Sequence, residues 1–219
     1  MARQRTAVLI SGRGSNLRAL LEACARPEAS AEIVLVISNR ADAAGLHHAR
    51  DCGIATEMIP HGAFATQVGF ENAIDRTLHE HGIALVCLAG FMRVLSPWFV
   101  ERWRDRLLNI HPSLLPAFRG LDTHRRVLAA GVRFTGCTVH LVRAEVDDGP
   151  IVVQAAVPVH PGDTEDSLAA RVLEAEHRCY PLALELVASG RARVQDEKVV
   201  LEGASVPPGL WINPPPPPD

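Results

Sequence analysis

The sequence predicts an α/β protein with a doubly wound, mostly parallel sheet, an antiparallel C-terminal hairpin and a long C-terminal helix. Three observations predict it. Over the first half, short apolar or β-branched runs (6–11 TAVLIS, 33–38 IVLVIS, 85–89 LVCLA) alternate with stretches of helical period, as parallel strands joined by crossover helices do. After residue 130, two strand-like runs are separated only by the acidic turn AEVDDGP, too short for a crossover, so they pair antiparallel. Residues 163–187 then carry apolar side chains at alternating steps of four and three, which makes one helix stripe.

In order along the chain, residues 6–11 read as a buried strand. Gly12, Arg13, Gly14, Ser15 and Asn16 follow, then LRALLEACA, with Leu17, Leu20, Leu21 and Cys24 on one helix face. Strand, glycine turn and helix leave backbone N–H groups free at a helix N-terminus, a layout that suits phosphate and that also serves as a plain βα turn. Ser15 is placed to cap this helix and Asn16 to add donors. The pattern is neither G-x-G-x-x-G nor a P-loop. A second strand at 33–38 precedes a helix near 42–52. A short third strand at 55–59 precedes a helix over 64–81 that Gly69 weakens. The fourth strand, 85–89, ends at Gly90. Residues 96–102 start a helix with Ser96 as cap and Pro97 in its first position.

The stretch LLNIHPSLLP (107–116) starts as an apolar strand and stops at Pro112. Asn109 and His111 are two apart and so face the same way. They aim a donor and a titratable group off the strand end, or serve as ordinary strand-end polar groups. In a Rossmann-like sheet ligands sit beyond the carboxyl ends of the strands, so the segments 12–16, 90–95 and 109–111 share one edge. Residues 113–123 form an irregular loop with some freedom to move, and 123–130 a short helix stopped by Gly131. In the strand 135–142, Cys137, Val139 and Leu141 point one way and Thr138 and His140 the other; 151–159 is its hairpin partner. The long helix puts Leu168, Val172, Ala175, Cys179, Leu182 and Leu186 on its stripe. Glu176, at the edge of that stripe, needs a partner or a route to solvent. Residues 191–202 form a small hairpin and PPPPPD an extended tail. The chain reads as one domain over 1–205 with a Pro-rich tail over 206–219.

Bulk properties remove whole classes of function. The 219-residue chain has a net charge of −3 and no basic block, which argues against sequence-independent nucleic-acid binding. Its five cysteines are scattered without a C-x-x-C pair, as reduced thiols of a cytoplasmic protein are. No apolar run approaches the ~20 residues of a membrane span, and no secretory leader is recognisable. The ten histidines show no metal-ligand spacing, and no G-x-S-x-G elbow is present. Asn109, His111, His140 and either Asp147 or Asp148 remain, close to a candidate phosphate loop. An amide donor, an imidazole and a carboxylate suit acyl transfer through a tetrahedral intermediate: Asn stabilises the oxyanion and a nearby Asp favours the imidazolium.

ISGRGSNL, VCLAGFMRVLS, LLNIHPSLLP, TVHLV, VDDGPIVVQ and EHRCYP, in that order over about residues 6–188, resemble the phosphoribosylglycinamide formyltransferases of the formyltransferase family. The resemblance implies formyl transfer from 10-formyltetrahydrofolate, a co-substrate, to the amine of 5-phosphoribosylglycinamide in purine synthesis, without metal. It implies a catalytic trio of Asn109, His111 and Asp147. Gly14, Ser15 and Asn16 match a substrate-phosphate loop, and Glu176 a contact to the ribosyl group. Met92, Arg93, Val94 and Leu95 match a segment that holds folate through its backbone, and Val142 and Arg143 open a loop that closes around the pterin. Gln67 stands where relatives often carry an Arg for the folate tail. Asp148 is the substituted residue in a turn that relatives write DGG. The family organisation divides the domain into an N-terminal half for the phosphoribosyl substrate and a C-terminal half for folate and catalysis. The expected partners are small molecules, with no nucleic acid and no membrane, in a cytoplasmic monomer or homodimer. A formyltetrahydrofolate deformylase and a non-catalytic nucleotide-binding module are the rival readings.

Overall fold

The computed structural model describes residues 2–203 and 209; of the tail expected at 206–219, only Gly209 is therefore described. Strands β1 (Gln4–Ile10), β2 (Ala31–Ser38), β3 (Ala55–Met58), β4 (Leu85–Leu88) and β5 (Leu107–His111) lie parallel in the order β3-β2-β1-β4-β5. β6 (Phe134–Leu141) and β7 (Ile151–Pro158) continue the same sheet antiparallel beyond β5. The chain winds outward from β1 in one direction and from β4 in the other, so a crevice opens where their carboxyl ends diverge.

The helices cover both faces. Val8 and Ile10 enter the core under α1 (Ser15–Cys24), α2 (Gly45–Asp51), α5 (Thr123–Ala130) and α6 (Glu165–Ala188). Ala7 and Leu9 enter the core under α3 (Gln67–Glu80) and α4 (Pro97–Arg102). Because both faces of β1 are covered, its apolar run is unbroken where a half-exposed strand would alternate. Ser96 caps α4, accepting from the Phe99 amide, with Pro97 behind it. α3 begins later than residue 64: Thr66 caps it by accepting from the Gly69 amide, which puts Gly69 in the first turn, where it costs little.

The long helix departs from its expected stripe. Its buried residues are Leu168, Val172, Glu176, Cys179, Tyr180, Ala183 and Leu184, and Leu182 is 49% exposed. Alternating four- and three-residue steps average 3.5 per turn, and a straight helix drifts about 20° per heptad from that repeat. The inward face has therefore moved on by residue 182, and Glu176 lies inside it. The hairpin β8 (Ala192–Gln195) and β9 (Lys198–Leu201) stands apart from the main sheet. Among the described residues no helix is long and apolar enough to cross a membrane.

Candidate active site

Asn109 and His111 end β5, and the antiparallel register sets Asn109 opposite His140 and His111 opposite Thr138. Facing residues of a ladder present their side chains on the same side. Asn109 Nδ2 lies 3.2 Å from His140 Nε2, and His140 Nδ1 lies 3.4 Å from the Leu141 carbonyl oxygen. Burial pushes the His140 ring down to about 4, so it is neutral near pH 7. The pairing assigns its proton to Nδ1, leaving Nε2 to accept from Asn109. One Asn109 amide hydrogen is thereby fixed, and the second is left for another acceptor.

His111 is 5% exposed and faces two oxygens. Its Nδ1 is 3.2 Å from Asp147 Oδ2, and its Nε2 is 2.9 Å from the Phe118 carbonyl oxygen. A neutral imidazole has one N–H and can donate to only one of them; the imidazolium donates to both. The Gly120 amide also donates to Asp147 Oδ2, at 2.7 Å. Asp147 has φ of 50°, a left-handed conformation that Asp tolerates. The same loop is closed by Gly149 at φ 129°, where a Cβ would sit 2.1 Å from the Leu141 carbonyl oxygen. Asp148 turns to Arg119, 2.8 Å away. Of the two adjacent carboxylates, Asp147 is the one at His111.

Across the crevice, Asn16 Nδ2 donates to Glu176 Oε2 at 2.7 Å, with both residues buried. Burial raises the Glu176 carboxyl above its ordinary range, which the Asn16 hydrogen bond partly opposes. Asn16 Oδ1 is buried without a hydrogen-bond partner among the described residues. Beyond β4, the Met92 amide donates to Ser11 Oγ at 2.9 Å and the Ser11 amide to the Gly90 carbonyl at 3.1 Å. Buried Glu71 accepts from the Ser96 amide (2.7 Å), the Ser96 hydroxyl and Gln67 Nε2 (2.9 Å). Gln67 also donates to the Val94 carbonyl at 2.9 Å. A cavity of about 590 Å³ opens between these elements, and its lining includes Asn16, Met92, Arg93, Val94, Leu95, Asn109, His111, His140, Val142, Arg143, Asp147 and Glu176.

A formyl transferase family model matches residues 4–184. The chain belongs to the formyl transferase family. It is 45% identical to the phosphoribosylglycinamide formyltransferase of Escherichia coli K12, covering 92% of this chain and 95% of that one. It is 54% identical to the trifunctional purine biosynthetic protein adenosine-3 of Gallus gallus over 87% of this chain, which spans only 19% of that protein. The glycinamide ribonucleotide transformylase 1 structure from Symbiobacterium toebii superposes with a TM-score of 0.88 at 45% identity, covering 91% of this chain and 94% of that one.

Within this family fold, most of the sequence-derived candidates gather at one cavity, with specific exceptions. Gly14 and Ser15 do not line it. Ser15 does not cap α1: the capping position is Gly14, at φ 77° and with no side-chain cap, because the turn crosses α2 so closely that a Cβ there would lie 2.7 Å from Gly45 Cα. Gln67 also stands off the lining and buttresses Val94 from behind. Arg143 reaches the cavity wall, but its side chain bonds Glu197 and Asp105. Sequence reasoning missed Ser11 and Glu71. A signal for Glu71 was available, since it lies three residues before Ile74 on the inward face of α3 and a buried carboxylate requires donors. No group of three or more His, Cys, Asp or Glu among the described residues is arranged to hold a metal ion.

Proposed function

We propose that the protein transfers the formyl group of 10-formyltetrahydrofolate to the amine of 5-phosphoribosylglycinamide, giving the formylated ribonucleotide and tetrahydrofolate. The observation that carries this reading is the 3.2 Å approach of Asp147 to His111 beside Asn109 on the same strand end. Its similarity to a phosphoribosylglycinamide formyltransferase and a glycinamide ribonucleotide transformylase supports the choice of acceptor.

In this mechanism the amine nitrogen bonds to the formyl carbon, and the carbonyl oxygen becomes an oxyanion. Asn109 donates its free amide hydrogen to that oxygen, and preorganisation by His140 spares reorientation during the step. His111 contributes positive charge, balanced by Asp147. Its Nε2, 2.9 Å from the Phe118 carbonyl oxygen, finds in the oxyanion a stronger, charged acceptor. Asp147 takes the proton leaving the amine through a water. The bond from the formyl carbon to the folate nitrogen then breaks, with a proton returned to that nitrogen.

Gly14, Ser15 and Asn16 bind the substrate phosphate at the α1 N-terminus, and Glu176 takes the ribosyl hydroxyls. Met92, Arg93, Val94 and Leu95 hold the folate through backbone groups, the loop opened by Val142 and Arg143 closes around its pterin, and Gln67 supports Val94 from outside the cavity. Residues 1–205 act as one domain, in a cytoplasmic protein whose partners are small molecules. The test is consumption of 10-formyltetrahydrofolate with and without the phosphoribosyl amine. Amine-dependent consumption is expected. Formyl loss without amine would indicate a deformylase, and no turnover a binding module.

A further inference from the structure

Arg143 begins the loop that carries Asp147, yet its side chain, 12% exposed, points away from the cavity to two distant parts of the chain. Its Nε donates to Glu197 Oε2 at 2.6 Å, its Nη2 to Asp105 Oδ1 at 2.7 Å and its Nη1 to the Val142 carbonyl at 3.1 Å. Arg104 donates to the other Glu197 oxygen. Glu197 belongs to the β8–β9 turn, outside the 4–184 span of the family match.

The backbone gives a second, independent observation. Asp196 and Glu197 have φ of 48° and 55°. Two successive left-handed residues make a type I′ hairpin turn, which favours glycine in the second position. A long side chain there is strained, and strain persists where surrounding contacts hold it. Asp105, the other acceptor of Arg143, is left-handed too, at φ 59°. Hydrogen bonding from Arg143 holds the Glu197 carboxyl below its ordinary range; desolvation opposes it, and the Arg143 and Arg104 charges add to the lowering.

We propose that Arg143, gripped by Glu197 and Asp105, is a latch through which the C-terminal hairpin positions the catalytic loop and so sets Asp147 against His111. The far end of the loop is tied separately, by Asp148 to Arg119 and by the Gly120 amide to Asp147. Arg143 and Glu197 are positioning residues, and their effect on turnover rests on the formyl-transfer reading above. Glu197 is more than half exposed, so the expected effects are few-fold.

Glu197→Gly tests the latch, because it removes the carboxylate while relieving the backbone. The expected result has three parts. The melting temperature stays level or rises. Amide hydrogen exchange in the 141–149 segment of the ligand-free protein speeds up roughly two- to fivefold. KM for formyl folate rises by a similar factor while KM for the phosphoribosyl substrate stays unchanged. Glu197→Asp should recover part of each loop effect. Unchanged exchange in 141–149, or faster exchange that merely follows a fall in melting temperature, would overturn the latch. If the parent protein transfers no formyl group but Glu197→Gly still loosens 141–149, the latch stands and the functional reading fails.

Discussion

Asn109 and Asp147 approach the same cavity from opposite kinds of structure. Asn109 sits in a buried strand, and ladder hydrogen bonds and its pairing with His140 fix its position. Asp147 sits in a left-handed turn, held by side-chain ion pairs and one amide. In the proposed mechanism, the group that meets developing charge at a fixed point is then the rigidly mounted one, and the group that manages the proton is carried on an element with its own adjustable supports. Preorganised donors gain most from rigidity, whereas a loop can close after a ligand has entered.

Asn109→Ala should break the rigid side of this comparison, lowering kcat by about 10²–10³ as loss of an oxyanion donor does. Asn109→Gln should be nearly as damaging, because the strand cannot retreat to accommodate the longer side chain. Steady-state kinetics check both, and near-parental turnover in either would remove Asn109 from the mechanism. Asp147→Asn should cost less, about 10² in kcat, at the lower limit of the range for a proton-transfer group. Asp147→Glu should retain more activity than Asp147→Asn, since the loop can give way. Equal losses in the two Asp147 variants would mean that the loop is as rigid as the strand.

The smallest expected effect concerns the residue that orients Asn109. His140 titrates near 4 when folded and near 6.5 when exposed, owing to burial. As pH falls through that window the unfolded chain takes up the proton first, so stability is lost from about pH 6.5 downward, by roughly 1–2 kcal/mol at pH 5. Urea unfolding at pH 7 and pH 5 should show a smaller loss in His140→Gln than in the parent. An equal loss would assign the acid sensitivity to other groups.

Much of this was legible in the sequence because it is local. The helix Thr123–Ala130 and its stop at Gly131, the Ser96–Pro97 helix start and the strand Leu107–His111 all follow from signals within a few residues. The shared face of Asn109 and His111 follows from strand geometry alone. The choice of Asp147 over Asp148 was not legible from local pattern, because two adjacent carboxylates in a turn look alike until backbone angles aim them. Nor was the drift of the α6 stripe, which takes several turns to accumulate.

By itself the sequence determined the alternation of strands and helices, the edge at which the glycine turn and the Asn109–His111 strand end would meet and the chemical types assembled there, since period, caps and glycine turns act at short range. Only the tertiary structure decided that His140 orients Asn109, that Glu71 braces the 94–96 segment and that Arg143 serves the hairpin with its side chain. Each of those depends on register or on contacts between distant segments, and a side chain's role is set by what folding brings beside it.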